Sequence, residues 1–168
     1  MGWSHTITEK KGTISVNFLL NRGSKWLDVS SYLPHEGKVV LDIHSDISRL
    51  QIRIPEWAGF TKIKYMRERN GEVIEGKGSE ESSWVNKHFL LLGSAVAGEK
   101  ITVTFPLSLR KTIENAVGQT FETEWRGDDV VNITPKGKKK PLYSGRQVFE
   151  EAPMRTGDYR RLDKEFIW

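Results

Sequence analysis

The sequence contains no cysteine, which removes disulfide scaffolds, thiol nucleophiles and thiolate metal sites at once and leaves the redox compartment unmarked. It also lacks any apolar run near the roughly 20 residues needed to cross a bilayer. The opening "MGWSHTITEKKGT" has no hydrophobic signal core, so no membrane span is predicted and localisation stays open. Charge of one sign is scarce too: the formal balance of +4 comes from bases interleaved with acids. The exception is "KGKKK" at 136–140, bracketed by Pro135 and Pro141. Without interleaved aromatics it reads as a solvated loop, and no nucleic-acid partner is expected.

Helical periodicity is nearly absent as well. Only "GSAVAGE" and "SSYL" look briefly helical, and neither is long enough to hold a helix alone. Histidines are few and scattered. His5, His35, His44 and His88 lack the short spacing of metal motifs, and His44 falls on the polar side of a strand beside Ile43. No metal or cofactor site is predicted. Carboxylates are many, so no pair stands out. Asp128 and Asp129 sit at a turn, while Glu122 and Glu124 share the strand face opposite Phe121, Thr123 and Trp125. The glycines form no phosphate-cradling pattern. No catalytic residue is assigned.

What is present is period two. Ile14, Val16, Phe18 and Leu20 share one face of "TISVNFLL"; Val39, Leu41 and Ile43 share one of "KVVLDIHS"; Leu50, Ile52 and Ile54 oppose Gln51 and Arg53. The alternation returns in "KIKYM", "HFLLL", "ITVTF", "TFETEW" and "VVNITP". Turn signals separate these stretches at "HEGK", "RNGE", "AGEK" and "RGDD", with Asn70-Gly71 the sharpest because a type I′ turn needs positive φ at both central residues. A hydrophobic fraction of 37% over 168 residues supports a folded core. Short strands at regular spacing predict an all-β, antiparallel β-sandwich of jelly-roll-like type. The sandwich is expected over 1–149 and a charged C-terminal tail over 150–168, with Phe166, Ile167 and Trp168 as its apolar end. Residues 76–86, "GKGSEESSWVN", are expected to form a flexible loop.

Six tryptophans carry the remaining functional signal, because aromatic faces stack on sugar rings. Parity turns Trp125 inward with Phe121. Trp57 follows Pro55 among apolar neighbours and reads as a core plug. Trp84, in the polar stretch, and Trp26, in "GSKWLDVSSYLP", are the candidate carbohydrate-binding residues.

The run "VNFLLNRGSKWLDVSSYLPHEGKVVLDIHSDISRLQIRIPEWA" (16–58) resembles the β-sandwich that follows the catalytic barrel in bacterial glycoside hydrolases related to the β-L-arabinofuranosidases, glycoside hydrolase family 127 and relatives. "ITVTFPLSLRKT", "FETEWRGDDVVNITPKG", "KPLYSGRQ" and "APMRT" resemble later segments of the same region. The resemblance runs from about Thr13 to Arg155. It implies an (α/α)6 barrel as N-terminal partner, holding a zinc site of cysteines and glutamate together with the acid and the nucleophile. None of these groups maps onto a position here. The implied role is that of a non-catalytic accessory domain supporting the barrel of an enzyme that is secreted or periplasmic. The alternative is a carbohydrate-binding module using exposed tryptophans, with a carbohydrate as ligand. A homo-oligomer is expected of the isolated sandwich, since a face that evolved against a barrel is left apolar.

Overall fold

The computed structural model describes residues 2–59, 62–78, 84–85 and 88–137. The chain divides into two compact units, 1–136 and 137–168. All described strands lie in the first: β1 (Ile7–Lys10), β2 (Thr13–Val16), β3 (Leu27–Ser31), β4 (Lys38–Ile43), β5 (Ile47–Arg53), β6 (Lys64–Arg69), β7 (Glu72–Gly78), β8 (Trp84–Val85), β9 (Phe89–Ala95), β10 (Glu99–Thr104), β11 (Leu109–Ala116), β12 (Gln119–Arg126) and β13 (Asp129–Thr134). Helical backbone among the described residues is limited to short 3-10 turns such as Trp3–His5 and Glu56–Ala58.

Two five-stranded sheets, in the orders β1-β2-β5-β9-β8 and β3-β4-β10-β6-β7, carry the body of the fold. Pairing is antiparallel except between β2 and β5, which run parallel from Thr13 opposite Arg49 to Val16 opposite Ile52. Alternation decides what each sheet turns inward. Ile14, Val16, Leu50, Ile52, Leu90 and Leu92 of the first sheet join Leu27, Leu41, Ile43, Ile101 and Val103 of the second in a single apolar cluster. One shared core between two sheet faces is the signature of a sandwich. Leu41, Leu50 and Ile52 are fully buried, and each such side chain contributes about 1.5–3 kcal/mol over an exposed one. Arg67 on β6 ties the layers together. Its Nη2 donates to the carbonyls of Leu92 (3.1 Å) and Ser94 (2.5 Å) on β9 and lies 3.8 Å from the buried Glu99 carboxylate.

Two sequence expectations change, at the end of β2 and in the last three strands. β2 ends at Val16, so Phe18 and Leu20 leave the core face and stand 42% and 47% exposed in the following loop. "GSAVAGE", too short for a helix, is part strand: Gly93, Ser94 and Ala95 finish β9, where a register shift against β5 meets Gly93 at φ +77°. The last three strands join neither sandwich sheet but form a sheet of their own, β11-β12-β13. Asn70 (φ 54°) and Gly71 (φ 82°) make the expected turn, and Lys11-Gly12 and Val117-Gly118 adopt the same left-handed pair. Of the stretch 76–86, residues 76–78 close β7 and 84–85 form β8. The rest of it, most of "KGKKK" and the tail from 150 lie outside the described residues.

Candidate functional site

β5 runs out at Arg53, and Pro55, which has no N–H to give the ladder, turns the chain into Glu56–Ala58. Trp57 then folds back on the end of the sandwich. Its ring meets Phe105 edge-on, with centroids 5.7 Å apart at 68°. Its carbonyl accepts the Ser108 hydroxyl at 2.5 Å, and its indole Nε1 donates to Asp128 Oδ1 at 2.5 Å. Trp57 is thus a partial core plug whose polar edge faces outward. Gly127 makes the approach feasible: its φ is +60°, and a Cβ there would lie 3.1 Å from the Trp57 ring. "RIPEW" and "WRGDD", 71 residues apart at Trp57 and Asp128, are therefore neighbours in space.

A cleft of about 510 Å3 opens beside this contact. Phe18, Leu20, Leu33, Pro34 and Leu107 give it apolar walls; Arg53, Arg126, Asp128 and Asp129 give it charge. A second hollow of about 330 Å3 shares Arg53, Pro55 and Asp128 and adds Glu56, Trp57 and Arg110. Three guanidiniums therefore face three carboxylates across the two. Some are already engaged. Arg126 Nη2 donates to the His35 carbonyl at 3.3 Å, and Arg110 lies 4.6 Å above the Trp125 ring. Arg53 and Asp129 are exposed, and among the described residues neither side chain makes a hydrogen bond or an ion pair. Asn17, also on the wall, is held by the His5 carbonyl and Thr8.

Strong electrostatic coupling lies elsewhere, on the exposed face of the third sheet. Lys111 Nζ sits 2.8 Å from both Glu122 and Glu124. Hydrogen bonding to these carboxylates pushes the ammonium above the usual lysine range, and hydrogen bonding to Lys111 holds Glu124 below its ordinary value.

Trp26, one of the two candidate sugar-stacking tryptophans, does not line this cleft. Trp26 precedes β3, the edge of one sheet; it is half-buried against the core, with Lys25 Nζ 4.7 Å over its ring. Trp84 lies in β8, the edge of the other sheet. The Trp84 side chain lies outside the described residues. Sequence reading missed the cleft because its walls come from loops after Val16 and Ser31 and from the β12–β13 turn, whose meeting no periodicity announces.

His44 Nε2 pairs with Asp28 at 3.0 Å on the surface. Among the described residues no group of three or more His, Asp or Glu is placed to hold a metal, and no helix is long and apolar enough to cross a membrane. The cysteine ligands of the zinc site implied by the sequence resemblance have no counterpart in a chain without cysteine.

No family model matches the sequence, and no curated protein matches it. Solved structures do. A GH127 β-L-arabinofuranosidase from Geobacillus stearothermophilus T6 aligns with a TM-score of 0.55 at 14% identity, over 76% of this chain and 21% of that one. The fold is shared with part of a GH127 enzyme. A second GH127 β-arabinofuranosidase aligns at 0.51 and 19% identity, over 75% of this chain and 23% of its own. The chain thus spans about a fifth of these GH127 enzymes. Both are glycoside hydrolases, and at such identities the likeness is one of fold.

Proposed function

We propose that this chain is a non-catalytic β-sandwich accessory domain of a bacterial glycoside hydrolase, packing against and supporting a separate (α/α)6 catalytic barrel. The observation that carries the reading is the match of three-quarters of this chain to about a fifth of two GH127 enzymes. Bond cleavage then resides in the remainder of the parent protein, whose substrates are arabinose-containing plant-type polysaccharide fragments. The sandwich domain extends over 1–149, with 150–168 as a charged tail.

A carbohydrate-binding module built on Trp26 and Trp84 draws less support, because Trp26 packs half-buried against the core. The genomic reading frame upstream of Gly2 tests the proposal. A continuous frame encoding a few hundred residues with helical periodicity is the expected result; an in-frame stop immediately ahead would contradict it.

A further inference from the structure

We infer that the double cleft around Trp57 and Asp128 is a binding site for a neutral saccharide. Its two hollows, about 510 Å3 beside Asp128 and Asp129 and about 330 Å3 beside Trp57, each fall within the usual range for small-ligand sites, roughly 300–1,000 Å3. Its charge balance selects the ligand class. An anion entering beside Arg53 and Arg126 also meets Asp128 and Asp129, and a cation drawn to the carboxylates meets the guanidiniums. A neutral polyol avoids both penalties, because each hydroxyl donates to a carboxylate and accepts from a guanidinium at once.

The available groups fit that role. The side chains of Arg53 and Asp129 have no hydrogen-bond or ion-pair partner among the described residues, and Asp128 uses one carboxylate oxygen on the Trp57 indole. Apolar walls at Leu33, Pro34 and Leu107, with Trp57 in the adjoining hollow, suit the C–H faces of a sugar ring. The indole packs edge-on against Phe105 and the Trp57 carbonyl accepts the Ser108 hydroxyl, so the site needs little ordering before it binds. Choosing arabinose as a probe rests on the accessory-domain reading; the site itself does not.

The test is a titration of the full, nitrogen-labelled chain with L-arabinose, a β-linked arabinobiose, cellobiose and inorganic phosphate, following the indole N–H resonances. A neutral saccharide should shift the Trp57 resonance saturably, and Arg53→Ala and Asp129→Ala should each weaken that binding about tenfold. Both positions are exposed, and unchanged indole spectra of the unliganded variants would establish that the fold is intact. Cellobiose binding without arabinoside binding keeps the site and counts against the arabinofuranosidase-like parentage. The inference is overturned if no neutral saccharide saturates the Trp57 shift, if neither variant weakens it, or if phosphate saturates it at lower concentration.

Discussion

At the residue scale, Gly127 holds the end of the sandwich together by being small. With φ at +60° and the Trp57 ring 3.1 Å from the place a Cβ would occupy, Gly127→Ala should cost about 1–3 kcal/mol through backbone strain and displacement of the indole. Urea denaturation measures this, and an unchanged midpoint would contradict it. The Lys111 cluster gives a prediction in pH. Glu124 is held low chiefly by its hydrogen bond to Lys111, so the pairing is complete above the ordinary carboxylate value and is lost as pH falls through the depressed one. On the alkaline side Lys111 is raised, so its contribution is complete below the ordinary lysine value and is lost only as pH rises through the raised one. Lys111→Met should therefore move the Glu124 titration upward toward 4.5. Carbon-detected NMR titration reads this directly; a Glu124 curve that stays put would rule out Lys111 as the cause.

At the scale of elements, Arg67 is the test of how the two sheets are joined. Removing it strands the Glu99 carboxylate, 8% exposed, and two carbonyls of β9. Arg67→Met should cost about 3 kcal/mol, part of which Glu99→Gln should restore in the double variant. At 3.8 Å the two charges form an ion pair without a hydrogen bond, so no recovery would mean that the carbonyl contacts carry the whole effect. Neither role was legible in the sequence, since Arg67 and Glu99 look like ordinary solvent-facing charges on alternating strands. The strands themselves were legible. Leu50 and Ile52, or Ile101 and Val103, sit inward because period two and one buried face leave a single register. The pattern misled where it outran its strand. Phe18 and Leu20 keep the parity of Ile14 and Val16, but the ladder stops at Val16, and parity has no meaning once pairing ends. Lys11-Gly12 and Val117-Gly118 give a weaker turn signal than Asn70-Gly71 because Lys and Val rarely take positive φ; here the glycine partner and the flanking ladders impose it.

For the whole molecule, the third sheet matters most. Leu109 and Ile113 are 76% and 73% exposed on one face of β11, with Val131 and Ile133 of β13 also exposed. Exposed apolar side chains of this size favour association, so the isolated chain should form dimers or larger species in light scattering, and Leu109→Ser with Ile113→Thr should shift it toward monomer. A strict monomer at high concentration would contradict this. The fold could be read from the sequence because alternation is a local signal, whereas the cleft could not, because it is assembled from loops far apart along the chain. The central claim is that this polypeptide supplies a scaffold and a binding surface while bond cleavage lies in another part of the parent enzyme. Incubating the purified chain alone with an aryl β-L-arabinofuranoside tests it most directly: no release of the aryl group above the buffer rate is the predicted result, and sustained turnover abolished by a substitution within this chain would contradict the account.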